Sequence, residues 1–218
     1  MVQLYGVCLD RLPSADLLKK MIGKEWEESW QNQHPTLQKE EAARSSLAGL
    51  FLLRFSGREG LLAYSEKGKP YLVDYKADFG ITHTGEWIFC AVSSAEFGGG
   101  VGLDAESGSR LRRESIQSLS KRWLSEKEQE LLGDAPDLQA FLKLWTRKEA
   151  LVKWQGEGIS RLHCADTVCA PEKYGISFFE YQVENIFITL CTSAKETVSN
   201  KIQFLSREEI AAWENAIL

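Results

Sequence analysis

Within residues 141–160, the sequence predicts an amphipathic helix over 141–154 that carries a charge at a core position. On a helical wheel of about 100° per residue, its apolar side chains share one stripe: Phe141, Leu144, Trp145, Leu151 and Val152. Lys148 falls in the middle of that stripe. Because an isolated ammonium group is too costly to bury, Lys148 must either extend to solvent or meet a buried negative group. Two glycines within residues 155–158 end the helix.

The edge of the same stripe carries two more charges. Glu149 and Lys153 are four residues apart, so they lie one turn above each other on the helix. Two interpretations are open at this point. One is a salt-bridged helix with an extended lysine, and the other is a helix that carries charges into a site for an anion and a cation together.

Composition excludes several classes of protein. The chain has 218 residues, 44% hydrophobic and 11% aromatic, which is typical of an ordered protein. A net charge of −5 argues against a nucleic-acid partner, although a local basic pocket for a phosphorylated ligand is compatible with it. The longest apolar run, 47–53, is too short to span a bilayer, and no signal-peptide pattern is present. We therefore predict a cytoplasmic protein without a membrane partner.

The five cysteines are widely spread and include no C-x-x-C pair, which predicts reduced thiols. His163, Cys164 and Cys169 cluster in the sequence, but their spacing matches no common structural zinc site. No zinc is predicted there.

Helical and strand patterns alternate and predict an α+β fold. Residues 40–55 predict a second strong helix, and residues 79–94 predict a hairpin that turns at 84–86. In each half of the chain, a long helix precedes a strand that contains Cys90 or Cys191. This repeated order of elements predicts two similar halves, 1–98 and 99–218, with a site in the cleft between them and a hinge at glycines 98–100.

The remaining elements are predicted with less detail. Strands are expected over 2–9, 61–65, 71–73, 101–106, 174–179, 181–183 and 186–191. Helices are expected from Leu17 onward and over 110–119, 125–132 and 206–218. The helix at 125–132 begins with Ser125, and Glu128 stands at the capping-box position.

Asp104 and Glu106 are two residues apart in a predicted strand, so both project from one face. Neighbouring carboxylates repel each other unless a cation neutralises them, and Mg²⁺ does this well. Glu149 would suit the same ion as a third ligand. The alternative is a solvent-exposed strand end, since D-x-E is a common pattern.

His83 lies between two threonines at the predicted hairpin turn. An imidazole beside hydroxyl and backbone N–H groups is well equipped to hold a phosphate. Lys69, which precedes a proline that stiffens the turn, adds a positive charge. A packed strand histidine is the alternative for His83.

Four motifs, taken in order, resemble the Sfp-type 4'-phosphopantetheinyl transferase superfamily. They are GKP at 68–70, FGITHTG at 79–85, GLDAE at 102–106 and WTRKEALVK at 145–153. The joint order and spacing are far more specific than any one motif. The resemblance implies a monomer of two similar α+β halves related by a pseudo-twofold axis, with coenzyme A in the cleft. It implies transfer of the phosphopantetheine arm to a serine of an acyl, polyketide or peptidyl carrier protein, with release of 3',5'-ADP.

The resemblance also implies roles for individual residues. Asp104, Glu106 and Glu149 would hold Mg²⁺ on the pyrophosphate, and Lys148 and Lys153 would face that pyrophosphate. The residues expected at the 3'-phosphate and adenosine are Lys69, Thr82, His83, Arg44 and Ser45. The base that takes the serine proton would be Glu128, Glu149 or a water molecule on the metal.

The resemblance has limits and alternatives. Gly80 stands where the family usually has asparagine, and threonines replace the serines beside the histidine. The basic residues considered for carrier docking, or for an ordinary solvated helix face, are Arg110, Arg112, Arg113 and Arg122. A catalytically silent coenzyme A or carrier-protein binding module is one alternative function. Another is a different Mg²⁺-dependent phosphotransferase or diesterase.

Overall fold

A computed structural model describes residues 1–37, 39–73, 78–94, 100–108, 113–134 and 137–217. These residues form helices and sheets, which confirms the predicted α+β class. The chain divides into two compact units, one of residues 1–98 with 199–218 and one of residues 99–198. The sequence-based prediction placed 199–218 in the second half, whereas here these residues group with the first unit. The pseudo-twofold relation stays a prediction.

The strands in chain order are β1 (Val2–Cys8), β2 (Leu62–Tyr64), β3 (Pro70–Leu72), β4 (Phe79–Thr84), β5 (Trp87–Ser93), β6 (Val101–Ser107), β7 (Ile176–Val183), β8 (Ile186–Ser193) and β9 (Val198–Phe204). The helices are α1 (Ala15–Ile22), α2 (Lys24–Gln33), α3 (Glu40–Phe55), α4 (Arg113–Trp123), α5 (Glu126–Leu132), α6 (Leu138–Gln155), α7 (Ala170–Tyr174) and α8 (Arg207–Ile217). Helix α3 has the bounds predicted from the sequence, and the hairpin β4–β5 turns where predicted. Helix α6 extends the predicted 141–154 helix by a few residues.

The first unit packs α3 on a sheet of order β4-β5-β1-β9. Strand β5 is antiparallel to both of its neighbours, with Cys90 opposite Tyr5 of β1 and Ile81 of β4. Helix α3 approaches β4 closely, because a Cβ atom on Gly49 would collide with the Ile81 side chain. The core of this unit lies between α3, α1, α2 and the sheet.

The second unit packs α6 on an antiparallel sheet of order β6-β8-β7. The side chain of Asp137 accepts a hydrogen bond from the Ala140 N–H at the start of α6, and Gly156 ends the helix in the left-handed region. Gly102 of β6 permits close contact with α6. A Cβ atom there would meet the Ala150 carbonyl oxygen and would lie 2.6 Å from the Trp154 backbone nitrogen. This contact places α6 directly over Asp104 and Glu106, which share the Gly102 face of β6.

Several elements differ from the predictions. Two strands were predicted within residues 174–183, but the structure has a single strand there, β7, which begins at residue 176. Strand β9 and the short helix α7 were not predicted, since neither has a strong apolar period. Helix α4 begins at Arg113, while residues 109–112 and the glycines at 98 and 99 lie outside the described ranges. Within those ranges, no helix is both long and apolar enough to cross a membrane.

Candidate active site

Three carboxylates converge where α6 crosses β6. Asp104, Glu106 and Glu149 each offer one oxygen atom, and these atoms all lie within 4.8 Å of one another. Asp104 is 2% exposed, and the other two side chains are half-buried. The strand supplies two acids from one face, and the helix supplies the third. The structure therefore brings together the three residues that the sequence grouped as metal ligands.

Lys153 joins this cluster from the next turn of α6. Its Nζ atom lies 2.6 Å from Oδ1 of Asp104, and its side chain is 37% exposed, against 3% for that of Asp104. Glu149 and Lys153 thus present one anion and one cation on the same side of the helix. Of the two interpretations left open by the sequence, this geometry favours a helix that carries charges into a site.

The electrostatics of the cluster favour a bound cation. Burial, and then the neighbouring charge of Asp104, raise the pKa of Glu149 to about 7, while Lys153 acts in the opposite direction. The carboxylates therefore repel one another in spite of the lysine. A divalent ion would relieve that repulsion, and an all-oxygen donor set is the kind that Mg²⁺ binds. The residues present fit such an ion.

Lys148 does not reach this cluster. It is fully buried and donates to Oε2 of Glu128 at 2.7 Å and to the carbonyl oxygen of Ala165. Glu128 is also fully buried, and its other oxygen, Oε1, accepts from the N–H of Thr167 at 2.9 Å and from its hydroxyl at 2.8 Å. Of the two possibilities for a lysine in an apolar stripe, the structure shows a buried negative partner.

This burial does not support the direct roles predicted for the pair. Lys148 was expected to face the pyrophosphate, and Glu128 was one candidate for the base that takes the serine proton. Neither side chain has any exposed surface, and each is already bonded to the other. In this conformation neither can touch a ligand.

The residues predicted for the phosphate and adenosine end are not gathered in the same way. On β4, His83 is exposed whereas Thr82 is buried, so their side chains lie on opposite faces of the strand. The Nζ atom of Lys69 lies 3.6 Å from Oδ2 of Asp78, just before β4 begins. His83 is near the other end of that strand, five residues and roughly 16 Å further along the backbone.

Arg44 is engaged with the backbone of its own unit. Its Nη2 atom donates to the carbonyls of Leu9 at 2.6 Å and Leu12 at 2.7 Å, and its Nε atom donates to that of Pro13 at 3.0 Å. Ser45 is half-buried on the same helix. The guanidinium group thus holds the chain between β1 and α1. A phosphate role for Arg44 would require some of these bonds to break.

Sequence reasoning missed the residues that hold the buried pair. Thr167 is 4% exposed, yet no motif marks it, and its contact with Glu128 spans a long stretch of chain. A second missed contact joins the hydroxyls of Thr146 on α6 and Thr189 on β8 at 2.8 Å. Two signals were available for the pair itself: Lys148 at a core position of its helix, and the capping box of Ser125 and Glu128, which the structure confirms. Neither of them points to Thr167.

The candidate docking arginines are only partly described. Arg110 and Arg112 fall outside the described ranges, and Arg113 begins α4. The guanidinium carbon of Arg122 lies 4.9 Å from the ring centroid of Trp123, in a cation–π contact.

Comparisons with known proteins agree with the motifs. Residues 100–214 match the family model described as 4'-phosphopantetheinyl transferase superfamily. The chain is 32% identical over 171 residues to a 4'-phosphopantetheinyl transferase of Bacillus subtilis, covering 73% of this chain and 72% of the relative. It is 26% identical over 231 residues to 4'-phosphopantetheinyl transferase Sfp of Bacillus subtilis (strain 168), covering 96% and 100%. A match to 4'-phosphopantetheinyl transferase HetI of Nostoc sp. is 35% identical over 116 residues.

Proposed function

This chain belongs to the 4'-phosphopantetheinyl transferase superfamily, and we propose that it transfers the phosphopantetheine arm of coenzyme A to a serine of a carrier protein, releasing 3',5'-ADP. The observation that supports this most strongly is the carboxylate cluster with Lys153 beside it. Asp104, Glu106 and Glu149 lie within 4.8 Å of one another, and the ammonium group of Lys153 lies 2.6 Å from Asp104. Such a site suits a pyrophosphate held by a divalent cation.

The transfer reaction requires that the negative charge on the leaving group be neutralised and that the reacting groups be held in position. The serine hydroxyl attacks the phosphorus that bears the pantetheine ester, in line with the departing 3',5'-ADP, and negative charge increases on the leaving oxygens. We assign Asp104, Glu106 and Glu149 as the ligands of Mg²⁺, which would neutralise part of that charge when bound. Through that ion, the three side chains would fix the position of the pyrophosphate above β6.

Lys153 is the second source of positive charge. It is half-buried, so its ammonium group can extend from Asp104 toward a ligand without being wholly hydrated. A fixed cation beside developing negative charge stabilises the transition state more than the ground state. We therefore assign Lys153 to the pyrophosphate.

Glu149 is the better candidate of the two carboxylates considered as the base. Glu128 is fully buried and bonded to Lys148, whereas Glu149 is half-buried within the cluster. A base must come within hydrogen-bond reach of the serine hydroxyl, which needs an accessible oxygen. In the first unit, His83 is exposed and Lys69 is partly exposed, and we take them as alternative candidates for the 3'-phosphate because they lie near opposite ends of β4.

Intact-mass spectrometry tests the proposal directly. Apo forms of an acyl, a polyketide and a peptidyl carrier protein are incubated with this protein, coenzyme A and Mg²⁺, with EDTA in a parallel set. We expect at least one carrier to gain the mass of one phosphopantetheine group, and we expect EDTA to abolish the gain. A gain that persists in EDTA would refute the metal assignment. No gain on any carrier, with coenzyme A binding measured by calorimetry, would indicate a catalytically silent binding module.

A further inference from the structure

Lys148, the residue before Glu149 on α6, belongs to a buried ion pair that is held by a segment that no motif marks. Lys148 and Glu128 have no exposed surface, and their charged atoms are 2.7 Å apart. Glu128 accepts four hydrogen bonds. Oε2 receives Lys148 Nζ and the Ser125 N–H, each at 2.7 Å, and Oε1 receives both donors of Thr167.

The segment 165–169 holds both members of this pair. The carbonyl of Ala165 accepts from Lys148, while Thr167 donates twice to Glu128. Asp166 stabilises the turn between them, because its Oδ1 atom accepts the N–H groups of Val168 at 2.9 Å and Cys169 at 3.0 Å. The turn therefore directs the N–H and the hydroxyl of Thr167 toward one carboxylate oxygen.

Stability alone does not explain such a pair. A buried ion pair is often no more stable than an apolar pair of the same volume, because desolvation offsets the attraction. A fully satisfied polar network is, however, directional, and apolar packing is not. The network therefore constrains how α6 is rotated about its own axis.

That rotation decides where the catalytic face points. Lys148 and Glu149 are consecutive on α6, about 100° apart around the helix, and Lys153 lies one turn beyond Glu149. We propose that Thr167 is a positioning residue: through Glu128 and Lys148 it fixes the rotation of α6 so that Glu149 and Lys153 meet Asp104. This inference rests on the proposed function, since it concerns the geometry of the same site.

The test compares Thr167→Val with Thr167→Ser. Valine keeps the volume and removes the hydroxyl donor, whereas serine keeps the donor. We expect Thr167→Val to lower kcat about tenfold and to raise about fivefold the Mg²⁺ concentration for half-maximal rate, since small misplacements of catalytic groups have large effects. KM for coenzyme A should change less than about twofold, and Thr167→Ser should restore kcat. Thr192→Val is the matched control, because Thr192 is a buried threonine of β8 whose hydroxyl bonds the Gly100 carbonyl.

Two further measurements keep the inference open to refutation. Titration of Mn²⁺ into the coenzyme-free protein, followed by calorimetry, should show weaker binding in Thr167→Val than in wild type. If that variant does not fold, the double variant Glu128→Leu/Lys148→Met takes its place and should show the same loss with a native circular dichroism spectrum.

A folded variant with wild-type kcat and Mn²⁺ affinity would overturn the inference. A raised KM for coenzyme A with unchanged metal dependence would also overturn it, because Lys148 would then act on the ligand directly. An inactive wild type that binds Mn²⁺ would count against the proposed function alone.

Discussion

The two long helices of this protein make the same kind of contact with a sheet but bury different kinds of residue. Helix α3 buries only apolar side chains and Gly49, whereas α6 buries Thr146 and Lys148 among its apolar residues. A polar group inside a core needs a partner, and the partners of these two α6 side chains come from β8, α5 and the carbonyl of Ala165. We infer that α3 mainly supports its unit, while α6 also sets the geometry of the site.

The predicted functional residues also differ between the two units: those of the second unit converge on one place, and those of the first unit do not. In the second unit, Asp104, Glu106, Glu149 and Lys153 converge. In the first unit, Thr82 and His83 lie on opposite faces of β4, and Arg44 is bonded to backbone carbonyls. A D-x-E pattern and a helical i,i+4 pair each fix relative direction locally, so a single helix–strand contact is enough to unite them.

The largest effect is expected at the centre of the cluster. Asp104→Asn should lower transfer about a thousandfold, because loss of one ligand removes several kcal/mol of transition-state stabilisation. Holo-carrier formation is followed by intact-mass spectrometry, with Glu180→Gln as the control. Glu180 of β7 lies opposite Thr189 of β8, as Asp104 of β6 does from the other side, but Glu180 forms an ion pair with Arg147. Comparable turnover in the two variants would remove the metal assignment from Asp104.

The glycine contacts that bring α6 close to β6 and α3 close to β4 should differ in how well they tolerate an added methyl group. Gly102→Ala would press a methyl group against backbone atoms of α6, whereas Gly49→Ala would press one against side-chain atoms of Ile81, which yield more readily than the backbone of a helix. We expect Gly102→Ala to cost about 3 kcal/mol and to lower turnover about a hundredfold. Gly49→Ala should cost less than about 1.5 kcal/mol, since alanine also favours the helix. Calorimetric unfolding measures both costs, and equal costs would contradict the argument.

Removal of the positive charge of Lys153 should have an intermediate effect on activity. Lys153→Met keeps the stem of the side chain but loses the charge, so we expect kcat/KM for coenzyme A to fall about thirtyfold. Lys143→Met, an exposed lysine of the same helix, is the control and should stay within about twofold. If Lys153→Met keeps both the rate and the affinity of wild type, the lysine faces solvent during turnover.

The smallest kinetic effect is expected in the first unit. Arg44→Met should destabilise the protein by about 1–3 kcal/mol, because three backbone carbonyls lose a donor. It should leave the preference for coenzyme A over 3'-dephospho-coenzyme A within about twofold. His83→Ala should reduce that preference several-fold without a comparable loss of stability. A collapse of the preference in Arg44→Met would restore the predicted phosphate role.

Much of the second unit's site was accessible from local pattern. Asp104 and Glu106 were placed on one face by the period of a strand, and Glu149 and Lys153 by the period of a helix. The lysine at the core position was also correctly identified as a residue in need of an explanation. Its partner was not predicted to be Glu128, because a capping box explains that glutamate locally and hides its contact with Lys148.

Periodicity along the chain was therefore sufficient for the α+β class, the bounds of α3 and the acids that share a face, since each depends on neighbours a few residues apart. Long-range packing decided the rest. Gly102 allows α6 to approach β6, Thr167 joins Glu128 across a long stretch of chain, and strand β9 adds to the first sheet next to β1. Such contacts follow from how distant segments fill space and satisfy buried polar groups, and no spacing in the sequence encodes that information.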